Sequence, residues 1–183
     1  EFSNNSPWYI RAEANEVKDK GLKLSSAASG TSPGNGFIDI FEPLATKTLN
    51  TSAEGGYVSK AGQLSVSLLH SKFTNDNDVF NWRNPFFGGL VGVQDTATRA
   101  ADSNYTKFGL NGAWKQLPMS STLAGRYTYS KTTNSIPIAT TALGVNAAAP
   151  VVRGLKATNP SAANYVGNHA HTTASLSLQS HPT

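Results

Sequence analysis

Residues 8–15, Trp8-Tyr9-Ile10-Arg11-Ala12-Glu13-Ala14-Asn15, put Trp8, Ile10, Ala12 and Ala14 on one face. Arg11, Glu13 and Asn15 fall on the other. A period of two belongs to a strand whose faces meet different surroundings. Five further stretches repeat it, predicting strands over about 6–20, 50–60, 63–73, 103–114, 121–131 and 168–179. The gaps alternate short and long. Lys60-Ala61-Gly62 reads as a tight hairpin turn with Gly62 free to take positive φ, and Lys115-Gln116-Leu117-Pro118-Met119-Ser120 as a second turn held by its proline. The long connections are 21–49, 74–102 and 132–167, and Ser180-His181-Pro182-Thr183 reads as a further turn. Strands of about ten residues with tight turns at one end and long polar loops at the other predict an all-β fold. It is an antiparallel up-and-down transmembrane β-barrel.

The parity assigns side chains to lipid or lumen. Leu64, Val66 and Leu68 face outward with Gln63, Ser65 and Ser67 inward; Phe108, Leu110 and Trp114 oppose Lys107 and Asn111; Leu123, Tyr127 and Tyr129 oppose Arg126. Leu176 and Leu178 oppose His169 and His171, while Arg11, Glu13 and Glu54 join the lumen set. Trp8, Tyr57 and Trp114 are expected on the lipid face near the short turns, and Tyr127 and Tyr129 toward the long loops, as two interfacial aromatic levels. A soluble β-sandwich also alternates, but three loops of such length on one side are foreign to a compact domain. Six strands do not close a membrane barrel, the smallest having eight. Residues 1–183 are therefore expected to be one partial barrel domain, about six strands of a larger barrel.

Composition agrees. Of 183 residues, 38% are hydrophobic and 14% charged, too little of either for a packed soluble core or a charged disordered tail. No run of 18 apolar residues predicts a transmembrane helix. Cysteine is absent, which excludes disulfides, thiolate metal sites and covalent haem attachment within these residues. The opening Glu1-Phe2-Ser3 has neither an initiator Met nor a signal peptide, and the numbering is expected to begin inside a longer protein. Residues 1–102 hold nine Lys or Arg and all eleven carboxylates, whereas 103–183 hold six Lys or Arg and no carboxylate. Those late cations stand singly, without a nucleic-acid-binding module, so no nucleic-acid partner is expected.

Candidate chemistry is sparse. His169 and His171 lie two apart on one strand face, an incomplete metal pair that fits a polar lumen better. His70 has lipid-face parity near the long loops, where a snorkelling role is expected. Asp76 and Asp78, with Asn75 and Asn77, are a weak calcium candidate lacking the EF-hand glycine and distal glutamate; Asn and Asp turn chemistry is the commoner explanation. Trp82, Pro85, Phe86 and Phe87 form the most hydrophobic loop piece, able to pack over the barrel mouth or touch an external partner. Gly-x-Ser-x-Gly, His-Glu-x-x-His, phosphate-binding and dinucleotide-binding glycine motifs are all missing. No enzyme is expected.

The run Ser67-Leu-Leu-His-Ser-Lys-Phe-Thr-Asn-Asp-Asn-Asp-Val-Phe-Asn-Trp-Arg-Asn-Pro-Phe86 resembles the MtrB/PioB family of decahaem-associated outer-membrane proteins. Phe108-Gly-Leu-Asn-Gly-Ala-Trp114, the Leu117-Pro118 turn, Leu123-Ala-Gly-Arg-Tyr-Thr-Tyr-Ser130 and Thr173-Ala-Ser-Leu-Ser-Leu178 resemble that family's next hairpins. The resemblance covers most of 50–183, and the family's N-terminal cysteine motif has no counterpart here. It implies a barrel of more than twenty strands in the bacterial outer membrane, sheathing a periplasmic decahaem c-type cytochrome. Electrons would then pass to or from an extracellular multihaem cytochrome. The c-type haem would belong to the partner, with no cofactor in this chain. A general diffusion porin or substrate-specific channel is the alternative, and a soluble β-sandwich adhesin or binding domain the second.

Overall fold

Strand pairing, rather than a buried core, organises this chain. In the computed structural model, which describes residues 6–28, 37–83, 94–137 and 164–180, the elements are β1 (Trp8–Ala28), β2 (Phe37–Val58), β3 (Gly62–Asn75), β4 (Val79–Arg83), β5 (Gln94–Thr98), β6 (Asp102–Leu117), β7 (Ser121–Pro137) and β8 (Asn164–Gln179). Six form one antiparallel sheet in the order β1-β2-β3-β6-β7-β8, and β4 pairs with β5 in a small hairpin between β3 and β6. Every neighbour in the main sheet follows in chain order once that hairpin is set aside, which is up-and-down topology. β1 and β8 are its two edges among the described residues. An open edge in hydrocarbon would cost several kcal/mol per unpaired backbone group, as the expectation of a larger barrel requires.

Among the described residues Ile136 is the buried hydrophobic side chain, while Ile10, Leu64, Val66, Leu68, Leu176 and Leu178 stand exposed. Among the described residues no second layer covers their rows, whereas the inner faces of a sandwich would be packed. Along β3, Leu64, Val66 and Leu68 are exposed while Ser65, Ser67 and Leu69 are half-buried. Curvature explains the difference, the polar face being concave.

The connection expected at 21–49 is largely strand. β1 and β2 stay paired from Trp8↔Tyr57 to Ala28↔Phe37, far beyond the expected ends at 20 and 50. Backbone hydrogen bonds along a ladder do not need a polar–apolar alternation, so the hairpin continues where that alternation ends, through Leu22, Leu24 and Phe37-Ile38-Asp39-Ile40-Phe41. β3 leaves β2 at Thr46↔Asn75, and Pro43, with no N–H to donate, lies above that point where β2 has become an edge. The connection expected at 74–102 contains β4 and β5. The turn expected at 180–183 and residues 138–163 of the third loop lie outside the described residues, apart from Ser180.

The short turns differ from expectation in detail. Gly62 does not take positive φ. It is needed for close approach: a Cβ there would stand 2.4 Å from the Ala113 carbonyl oxygen and 2.7 Å from the Trp114 ring. In the other turn Met119 (φ 61°) and Ser120 (φ 51°) carry the left-handed conformation, at a cost of about 1–2 kcal/mol each. Met119→Asn with Ser120→Gly, the residues such a hairpin turn prefers, should stabilise the barrel by about 1–2 kcal/mol. Urea titration of the folded protein in lipid vesicles checks this, and an unchanged midpoint would refute it.

The two faces of the sheet as candidate functional site

Register aligns the outward residues into rows running across the sheet. Ile10, Gly55, Val66, Leu110, Tyr127 and Ala174 form one; Ala12, Ala53, Leu68, Phe108, Tyr129 and Thr172 form the next. Toward the short turns lie Trp8, Tyr57, Leu64 and Leu176, then Trp114, Leu123 and Leu178. Gly112 and Gly125 leave a shallow groove of about 460 Å³ bounded by Leu64, Leu110, Trp114, Leu123, Tyr127 and Leu176, which acyl chains would fill. Trp8 stacks tilted on Tyr57 with ring centres 4.8 Å apart, and both lie with Trp114 at the short-turn end. Tyr129 occupies the last apolar row. Tyr127 sits one row nearer the short turns, opposite Leu110 and beside Phe108, their ring centres 6.4 Å apart.

The concave face gathers Arg11, Glu13, Glu54, Lys107, Asn111, Arg126, His169 and His171 by parity. Arg11 lies opposite Glu54 but meets Glu13 instead, at 3.7 Å. The Tyr9 hydroxyl donates to Glu54 Oε1 at 2.6 Å, its ring lying over Gly56, where a Cβ would stand 2.3 Å from it. Asn111 lies between Ser65 and Arg126, and Lys107 between Leu69 and Ser130. His171 is opposite Ser130 with Nδ1 3.4 Å from Thr173 Oγ1, and His169 is opposite Thr132. No group of three or more His, Cys, Asp or Glu that could hold a metal occurs among the described residues.

Charge on this face is segregated. The inward residues of β3, β6, β7 and β8 include Lys107, Arg126 and the two histidines but no carboxylate; Glu13, Asp19, Glu42 and Glu54 all belong to β1 and β2. The rest of the wall is hydroxyl and amide, with Ser65, Ser67, Ser71, Thr128, Thr173 and Ser175 among its members. Neither Lys107 nor Arg126 has an ion-pair partner among the described residues.

Two features were not read from the sequence. Glu42, buried, pairs with Arg99, whose guanidinium lies 5.9 Å from the Phe80 ring centre. Phe80 stacks on Trp82 at 5.5 Å. Glu42 shares the parity of Glu54, so the β4–β5 hairpin leans on the concave side. The alternation of Phe80 and Trp82 was the available signal; Pro85, Phe86 and Phe87 lie outside the described residues. In the segment holding Asp76 and Asp78, Asn75 does the organising. Its side chain accepts from the Asn77 N–H at 3.1 Å and donates to the Ala100 carbonyl at 3.2 Å, which is Asx-turn chemistry. The Asp76 N–H donates to Ala45 and the Asp78 carbonyl accepts from Arg99.

An apolar face uncovered among the described residues, a polar concave face and tight turns at one end define an outer-membrane β-barrel. The comparisons agree: residues 1–182 match the family model of the outer-membrane β-barrel porins MtrB/PioB. The chain belongs to that family, and its place is the bacterial outer membrane. No curated protein matches it.

Proposed function

We propose that the barrel sheathes a periplasmic decahaem c-type cytochrome and so supports electron transfer across the outer membrane. Its role is structural rather than catalytic. The supporting observation is the concave wall from β3 to β8, rich in hydroxyls and amides and bearing Lys107 and Arg126 with neither an ion-pair partner nor a carboxylate on that wall among the described residues. Such a wall complements an acidic, hydrogen-bonding protein surface, including exposed haem propionates. Tunnelling would run from haem to haem in the partner, and the sheath would hold it within reach of both sides while excluding lipid. Past the bilayer, the β1–β2 hairpin offers Leu22, Leu24 and Phe41, each more than three-fifths exposed. A patch of this kind suits docking of an extracellular multihaem cytochrome.

The full-length protein, extracted in detergent from its own membranes, should carry stoichiometric c-type haem in its absorbance spectrum. A colourless preparation that conducts ions in planar bilayers would overturn the sheath reading in favour of a diffusion channel.

A further inference from the structure

At the long-loop edge of the apolar band, on its lipid-facing side, stand five lysines. β1 supplies Lys18 and Lys20, β2 Lys47, β3 Lys72 and β7 Lys131, all on the parity of Val66. Lys18 and Lys47 are directly opposite across the β1–β2 ladder, an arrangement that like charges disfavour. Glu16 alone bridges them, 2.5 Å from the Lys18 Nζ and 2.6 Å from the Lys47 Nζ. Lys72 lies in the row of Glu16 and Leu49. Lys20, Lys72 and Lys131 have no carboxylate partner among the described residues.

Height in the membrane gives the cluster its meaning. A tilted strand needs about ten residues to cross the hydrocarbon. Counted up β6 from the interfacial Trp114, that distance ends near Asn104, which lies opposite Lys72. Lys72 therefore stands where outer-leaflet headgroups begin, with Lys18 and Lys47 two residues above it along the strands, Lys20 four above, and Lys131 two below. From one residue below Lys72 up to the level of Lys20 the concave face carries Asn15, Val17, Asp19, Ser71, Tyr105 and Thr132, without a lysine or arginine; Lys107, opposite Ser130, lies below that span. Over the span of Lys18, Lys20, Lys47 and Lys72 the cations face lipid, where they answer an anion in the lipid and not one in the lumen.

We propose that Lys18, Lys47 and Lys72, flanked by Lys20 and Lys131, bind the phosphate groups of lipopolysaccharide in the outer leaflet. Ammonium groups near a membrane surface each add attraction to anionic headgroups, and a phosphate supplies several acceptor oxygens for neighbouring donors. Glu16 would then hold Lys18 and Lys47 in place for the shared anion. This inference rests on the outer-membrane barrel and not on the cytochrome.

The test titrates the full-length protein in detergent with bisphosphorylated lipid A and with the same lipid stripped of phosphate, counting bound lipid by native mass spectrometry. The phosphorylated form should bind at least tenfold tighter. Equal binding of the two lipids by the unaltered protein would overturn the proposal without recourse to any variant. The combined Lys18→Gln, Lys47→Gln and Lys72→Gln variant should lose the difference, while Lys60→Gln with Lys115→Gln, in the short turns, should keep it. Retention of the difference in the triple variant would also overturn it. Inorganic phosphate at equal molarity should leave the lipid bound; displacement would make the site one for free anions and refute the lipid assignment.

Discussion

Val66→Arg should destabilise the inserted barrel by about 2–4 kcal/mol, the cost of a lipid-facing arginine near the bilayer midplane. Ser65→Arg, one residue away, should stay within about 0.5 kcal/mol, as a hydrated substitution does. Val66 lies between Gly55 and Leu110, in the row that also holds Ile10 and Tyr127, and its side chain is open on the convex face. Ser65 lies between Gly56 and Asn111 on the concave face. The two positions share a strand, a depth and the same backbone ladder, so differences in propensity or register cancel. What remains is solvent. Urea unfolding of the full-length protein from lipid vesicles, without its partner, measures both. Equal destabilisation by the two arginines would mean that both faces are dry, and the membrane assignment would fall.

That face assignment was legible because β3, β6, β7 and β8 alternate apolar and polar residues through much of their length. Leu64, Val66 and Leu68 against Ser65 and Ser67 leave no other parity. Above the bilayer the contrast disappears. Lys18 and Lys20 point outward, Val17 and Leu44 point inward, and glycine, serine and proline supply turn signals. The hairpin there is held by continued pairing of β1 with β2, a non-local property that a window of neighbouring residues does not contain. The β4–β5 hairpin is hidden for a similar reason. Its strands are short, and the Glu42–Arg99 pair that ties it to β2 joins distant parts of the chain. Gly62 was read as a φ requirement when the constraint comes from Trp114 on the adjoining strand. The positive φ angles sit instead at Met119 and Ser120, residues that do not advertise them.

The candidate site divides in the same way. Parity alone placed Arg11, Glu54, Lys107, Asn111, Arg126, His169 and His171 on the concave face. Charge segregation became visible only when register set the strands side by side. The carboxylates of the lumen gather on β1 and β2, leaving a cationic wall from β3 onward, and the outward lysines line the long-loop edge of the apolar rows. Neither pattern is a motif, because neither is contiguous in sequence.

Reversing the cationic wall tests the sheath reading at its most exposed point. Lys107→Glu combined with Arg126→Glu should weaken retention of the cytochrome by about 100-fold or more, since like charges brought together across an interface cost several kcal/mol. The two side chains lie on neighbouring strands, Lys107 opposite Ser130 and Arg126 opposite Asn111, separated by two side-chain repeats, or roughly 13 Å along the strand direction. Both therefore meet one partner surface. Among the described residues neither forms an ion pair, so their replacement orphans no described carboxylate. The barrel should still fold and migrate as a heat-modifiable band. Lys107→Gln with Arg126→Gln should give an intermediate loss, and raising the salt concentration should weaken the unaltered complex in the same direction by screening. Haem content per barrel after detergent extraction reads all three. If the double glutamate variant keeps its full complement of haem while folding normally, the partner does not engage this wall through charge, and the enclosure of an acidic cytochrome by β3 to β8 is refuted.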